Sequence, residues 1–461
     1  MTIDINSKTT STIESKISCL LNQDDIPGLI IGILKNGSLC WSNSYGYSDL
    51  TKKSIANQLT LHRIASITKT FTAIAIMQLR DIGSLELDDP LVRHIPDFAA
   101  AVPVRGTLEG VTIRRLLTHH SGLTTEHESV MWDVPHWPTH KELLKSLDKI
   151  QIVLPQDHQW KYSNLAYALL GHLISQITKT RYTEYVINEI LKPLGLTSTV
   201  FDRQKSPEAD FATGYARPKP NTKKIRLAPY QHLSGFDACG QLISNVKDLS
   251  NWVSFFMPTW PENGSTQIIS SDSVEEMLKP AYISDDWTTG QALGWRLFRR
   301  NNKTYYNHGG GINGFSSNIV FNRPTKIGVI VLSNIWPSTI PYTMAEDVCE
   351  LVVKDESGNT EPKCKALEHS KRKGYEKYEG NYWAEPGIRI DITLTLNGLL
   401  LKAPEERGAY HMHGPSQITP TETSNSFRVT SGRGAGELVR FEILDGNPFS
   451  FTLGGFKYIK I

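Results

Sequence analysis

The sequence predicts an α+β fold: one large unit whose two ends build a single antiparallel sheet around a helical middle, followed by a small β unit. Three observations carry this. An apolar hairpin opens the large unit, apolar strand runs and a helix close it, and helical periodicity all but disappears after Lys354.

Residues 1–25 read as a helix or a loose arm. At Ile26-Pro27-Gly28 an apolar run begins, LIIGIL, followed by Lys35-Asn36-Gly37 and SLCWSNSYGYSD. Two β runs about an Asn-Gly step signal a hairpin, because that turn needs positive φ at both central residues. From about 66 to 85 the pattern is helical and apolar on most sides, with Gly83 as the stop. Further helices are expected near 111–117, 165–177, 182–191 and 246–256. Among them lies an aromatic-rich stretch, 126–140, that reads as a lid or cleft wall. Strand character returns at 305–306, 315–321 and 327–332, and a last helix over 342–353 should pack on that sheet. The large unit is thus placed at 26–355 and a polar linker at 356–372. A β-barrel or sandwich is expected over 373–461, with turn signals at Asn397-Gly398, 432–436 and Asp445-Gly446.

Bulk properties narrow the function. Apolar residues make up 39% and charged residues 21%, the balance of a chain with a packed core. Net charge is +2 with no long run of one sign, so neither nucleic acid nor an anionic membrane is an expected partner. Nowhere do about eighteen apolar residues run together, which argues against a membrane span. The N-terminal MTIDINSKTTSTIESK lacks a positive region followed by an apolar core, so no export signal is expected. Five scattered cysteines (Cys19, Cys40, Cys239, Cys349, Cys364) contain no CxxC pair, which favours a reducing compartment. The expectation is a cytoplasmic protein without metal or cofactor.

Three motifs could carry chemistry. In Ser66-Ile67-Thr68-Lys69, a serine opening a helix would meet a lysine one turn on, beside the positive end of the helix dipole. A serine hydroxyl needs a neighbouring base, and the apolar TFTAIAIM that follows would help free a lysine of its proton. Alone, the motif is weak, and far more often an N-cap serine and a surface lysine. Tyr162-Ser163-Asn164 sits on a turn entering an apolar helix, where a phenol can relay protons and a carboxamide can hold a substrate amide. His308-Gly309-Gly310-Gly311 leads into a β run; glycines there admit a substrate backbone, and a main-chain N–H can stabilise an oxyanion. The order S-x-x-K, Y-x-N, H-G-G, with the first on a buried helix, is far more specific than any single motif.

This set resembles the β-lactamase-related serine hydrolases, which include class C β-lactamases, D-aminopeptidases, DD-carboxypeptidases, esterases and biosynthetic acyltransferases. The resemblance runs from about Ile26 to Val353. It includes Pro27-Gly28, the TIRRLLTHHSGL stretch over 112–123, Pro193-Leu194-Gly195-Leu196, Ala212-Thr213-Gly214-Tyr215 and Leu293-Gly294-Trp295. It implies a β-lactamase/transpeptidase-like fold, an antiparallel sheet flanked by helices plus an all-helical region. It also implies Ser66 as the acylated nucleophile, Lys69 and Tyr162 sharing acid and base duties, and Asn164 positioning the substrate amide or ester. His308 stands where many relatives carry the lysine of K-T-G, with Gly309, Gly310 and Gly311 lining the substrate strand. Main-chain N–H groups of Ser66 and Gly311 would form the oxyanion hole.

Departures bear on substrate. The family's Pro-Gly before Tyr-x-Asn is Pro155-Gln156 here, and its A-G-G-L-x-S reads Cys239-Gly240-Gln241-Leu242-Ile243-Ser244. With His308 for lysine, a substrate carboxylate would be held less firmly at neutral pH, so penicillin resistance is not the expected role. The expected substrate is a small molecule or peptide, including an acyl group delivered on a carrier protein. Tyr378-Glu379-Gly380-Asn381-Tyr382 is similar to the opening of the lipocalin-like β domain that follows the catalytic domain in some relatives. His119-His120 and His411-Met412-His413 read as loop residues, Cys239 as a small buried one, and Trp132, Trp137 and Tyr167 as pocket or core aromatics.

Overall fold

The computed structural model describes residues 7–23, 26–205, 210–219, 222, 224–258, 267–357, 375–385, 387–395, 398–403, 416–432 and 434–461. The apolar run after Pro27 becomes β1 (Gly28–Lys35), which returns as β2 (Ser38–Asp49). Asn36 and Gly37 take φ of 53° and 79°, the left-handed pair the tight hairpin demands.

The sheet is completed by β3 (Ser54–Ile55), β4 (Tyr282–Ile283), β5 (Thr289–Gln291), β6 (Arg296–Arg300), β7 (Lys303–Ile312), β8 (Phe315–Asn322) and β9 (Ile327–Ser333). Their order is β4-β5-β6-β7-β8-β9-β1-β2-β3, antiparallel throughout. The two ends of the large unit meet where β1 pairs β9, Leu29 opposite Ser333 and Lys35 opposite Ile327.

Every residue of β8 and β9 is buried, because helices cover both faces. Alternation along β1 divides its side chains. Leu29, Ile31 and Ile33 join Val329 and Val331 in packing against Ile13 and Ile17 of α1 (Ser7–Gln23) and Met344 and Val348 of α5 (Ile340–Ser357). Ile30 and Leu34 face the larger core, which holds α2 (Thr68–Asp81), α3 (Asn164–Thr178) and α4 (Val246–Phe255). Gly32 lets α4 come close, since a Cβ there would sit 2.3 Å from Val246 Cγ1.

The helical reading of 66–85 needs one correction. The helix begins at Thr68, and Ser66 lies in the 3-10 turn Ala65–Ile67 before it. The helix ends at Asp81, and Gly83, at φ 72°, stops it as expected.

The C-terminal unit is a closed barrel, not a sandwich. Its eight strands run from Gly380–Ala384 to Phe456–Lys460, which pair to shut the cylinder. Tyr378, Tyr382, Phe427, Phe441, Phe451 and Tyr458 fill its interior. The expected linker lies outside the described residues from position 358 onward, as do Cys364, Asn397 and His411-Met412-His413.

The stretch 126–140 is a wall under the barrel, not an exposed lid. Trp132 stacks on Phe456 at 5.2 Å, and its backbone N–H donates to the Gly455 carbonyl at 3.0 Å. Trp137 meets Trp132 edge-on at 4.9 Å. Among the described residues no helix is long and apolar enough to cross a membrane.

Candidate active site

The turn that carries Ser66 is forced into shape by its neighbours. Ala65 has φ 46°, a conformation that costs a residue with a side chain about 1–3 kcal/mol. The Ile64 N–H donates to Leu242 O at 3.0 Å, the Ser317 hydroxyl to Ile64 O at 3.1 Å, and the Leu242 N–H to Thr68 Oγ1 at 3.2 Å. Gly310 lies directly beneath: a Cβ there would stand 2.2 Å from the Ile64 carbonyl.

Two side chains converge on Ser66. Tyr162 Oη donates to Ser66 Oγ at 2.9 Å, and Lys69 Nζ reaches the same oxygen at 3.2 Å. The Lys69 side chain is fully buried. Its amine also donates to Asn164 Oδ1 and to the Cys239 carbonyl, both at 2.7 Å, and lies 4.9 Å from the centre of the Tyr162 ring. Tyr162 precedes α3, whose N-cap Ser163 accepts the Ala166 N–H at 2.9 Å, so helix capping fixes the approach of the phenol.

The Asn164 carboxamide is engaged on both sides, because its Nδ2 donates to Glu126 Oε1 at 2.6 Å. The amide expected to meet substrate therefore orients Lys69 in this structure. Tyr167 donates to Leu117 O at 2.8 Å and is wholly buried core. Cys239 is buried as read from sequence, and its backbone oxygen is what the site uses. Gln241 takes up the space of a glycine with bonds of its own, to Arg63 Nη2 at 3.4 Å and Phe201 O at 3.1 Å.

Two buried histidines, His308 and His119, border the site. His308 is buried, donates from Nδ1 to Gly309 O at 2.8 Å, and burial with Lys69 nearby pushes its pKa down to about 3. His119 stacks at 4.4 Å on Tyr162, and its Nδ1 accepts the Ser163 N–H at 3.1 Å. Burial, then Lys69, hold it well below the usual histidine range. Of the pair read as loop packing, His119 thus buttresses the phenol, while His120 packs on Tyr282 at 4.5 Å. A permanent cation stands nearby: Arg296, opposite Asn307 on β6, lies 5.6 Å from the Trp160 ring, and its charge bears on both His308 and His119.

The glycines on β7 make room for the protein itself. A Cβ at Gly309 would strike Tyr342 and one at Gly311 would strike Trp336. Pairing with β6 ends at Asn307, while β8 continues alongside as far as Ile312. Residues 308–312 therefore keep one strand edge directed away from β8, of the kind that can bond an extended ligand backbone.

Glu126, the Cys239 carbonyl and Arg296 escaped the sequence reading, since each joins the site through contacts remote in the chain. Lys161 was detectable: a lysine between Trp160 and Tyr162 in a buried motif requires a counter-ion.

The chain is similar to several known proteins. Protein flp of Staphylococcus aureus strain NCTC 8325 / PS 47 is 30% identical over 338 residues, 70% of this chain and 62% of its own length. The chain thus spans less than two thirds of that relative. Two solved structures share the fold over 98% of the chain. The octameric penicillin-binding protein homologue from Pyrococcus abyssi has a TM-score of 0.64 at 23% identity, and SurE 0.63 at 18%. The family profile described as Beta-lactamase matches residues 13–348, and with the Ser66, Lys69 and Tyr162 cluster inside that span, the chain belongs to the beta-lactamase family.

Proposed function

We propose that this protein is a serine hydrolase or acyltransferase that cleaves an ester, amide or thioester of a small molecule or peptide through an acyl-Ser66 intermediate. The observation that carries this reading is the convergence of Tyr162 Oη and Lys69 Nζ on one oxygen, at 2.9 and 3.2 Å.

Ser66 Oγ attacks the carbonyl carbon while its proton passes to Lys69 or Tyr162, whichever has first given up its own. The new oxyanion is received by main-chain N–H groups of Ser66 and Gly311. The relayed proton leaves with the departing alcohol, thiol or amine, and water or a second nucleophile then takes the acyl group. Neutral His308 offers no charge to a substrate carboxylate; Arg296 is the group assigned to meet an anionic end. Acyl delivery from a carrier protein, in cytoplasmic secondary metabolism, belongs to the same reading and rests on the sequence alone.

Ser66→Ala is expected to abolish turnover of p-nitrophenyl esters, and a fluorophosphonate should add its mass to the Ser66 peptide. Full activity in Ser66→Ala would end the proposal.

A further inference from the structure

Lys161 is buried immediately before the reactive phenol, and its counter-charge comes from the barrel. Glu437 follows the turn at Gly436 (φ 83°), where the barrel presses Ala435 against Val153 and Leu154. Its Oε1 accepts from Lys161 Nζ at 2.7 Å and from the Thr125 N–H at 2.8 Å. The Lys161 side chain is 0% exposed and that of Glu437 13%.

That one carboxylate oxygen fastens two segments of the site. Lys161 directly precedes Tyr162, which bonds Ser66. Thr125 directly precedes Glu126, which bonds Asn164. The segments are laced further: Thr125 O accepts the Asn164 N–H at 2.8 Å, and the Ser163 hydroxyl donates to Thr124 O at 2.7 Å. Burial pushes the Glu437 carboxyl up, but Lys161 and the Thr125 bonds outweigh it and hold the pKa below the usual carboxylate range. Simple docking does not require this contact, because Trp132–Phe456 and Arg226–Glu385 (2.9 Å) also join barrel and catalytic unit.

We propose that Glu437 is a positioning residue: the barrel completes the active site by holding the backbone of Tyr162 and Glu126 in register with Ser66. This rests on the acyl-Ser66 reading above.

The test uses the full chain, a p-nitrophenyl ester, and active sites counted by exhaustive fluorophosphonate labelling, so that lost folded protein is not mistaken for lost rate. Glu437→Gln should lower kcat per labelled site by about tenfold or more with KM within about twofold, as small misplacements of reacting groups do. Glu437→Asp should recover part of the rate, and Glu385→Gln, which cuts a different barrel contact, should stay within about twofold of wild type. Glutamine removes the negative charge facing Lys161, so the Lys161→Met/Glu437→Leu pair, which takes away both charges, provides a folded comparison. It too should turn over slowly, since Thr125 has lost its acceptor. Wild-type kcat per site in Glu437→Gln or in the double variant overturns the proposal, as does an equal loss in Glu385→Gln. Activity surviving in Ser66→Ala would instead sink the acyl-Ser66 reading itself.

Discussion

The phenol of Tyr162 donates to Ser66 Oγ across 2.9 Å, although the two residues lie on separate elements, a 3-10 turn and the entry to α3. Lys69 shares that oxygen, so the hydroxyl has two partners able to move its proton. Tyr162→Phe keeps the ring that packs on His119 and removes the relay. Its kcat should fall by about 10²–10⁴-fold with KM little changed, measured by steady-state ester hydrolysis. Undiminished kcat would assign proton transfer to Lys69 alone.

Stability should depend on pH through histidines that are buried and neutral. Burial holds the pKa of His62 at about 4 and that of His308 at about 3, against 6.5 in the unfolded chain. Between those values the unfolded state binds more protons than the folded one. Stability is therefore fully present above pH 6.5 and falls as the pH drops towards 4 and then 3. Each such histidine contributes about 1.4 kcal/mol per pH unit. Urea midpoints should decline steadily from pH 6.5 to 4.5, and His308→Gln should flatten the slope. A level midpoint across that range would contradict the burial of these rings as neutral species.

Gly310→Ala tests the contact beneath the nucleophile. The added methyl would lie 2.5 Å from Ser317 Oγ and 2.2 Å from Ile64 O, and that backbone carbonyl cannot retreat without moving the Ser66 turn. A stability loss of about 1–3 kcal/mol is expected by urea denaturation, with slower labelling of Ser66 by a fluorophosphonate. Normal stability and labelling together would show that the turn does not rest on this strand.

What the sequence disclosed, and what it hid, follows from the range of the interactions. The Asn36-Gly37 hairpin, the buried helix after Ser66 and the strands on either side of Asn322 were legible because they rest on local periodicity and turn stereochemistry. The convergence of Ser66, Lys69 and Tyr162 was legible through the order of motifs and their resemblance to a family. The exact start of the helix was not, because the 3-10 turn is imposed by Leu242, Ser317 and Gly310 from far along the chain. Glu126 stayed hidden in an aromatic stretch for the same reason: its bond to Asn164 is tertiary. The glycines of β7 were read as admitting a substrate backbone; that Tyr342, Ile64 and Trp336 pack against them was not legible, because those contacts are remote in the chain.

The pairing of Leu29 with Ser333 also governs how the molecule is made. Closing a loop that long is slow, because the entropy of bringing its ends together is lost before any contact repays it. The helical middle can gather early, but the central sheet waits until the strand ending at Ser333 has left the ribosome. Until then β1 can pair only with β2, and its second edge stays open.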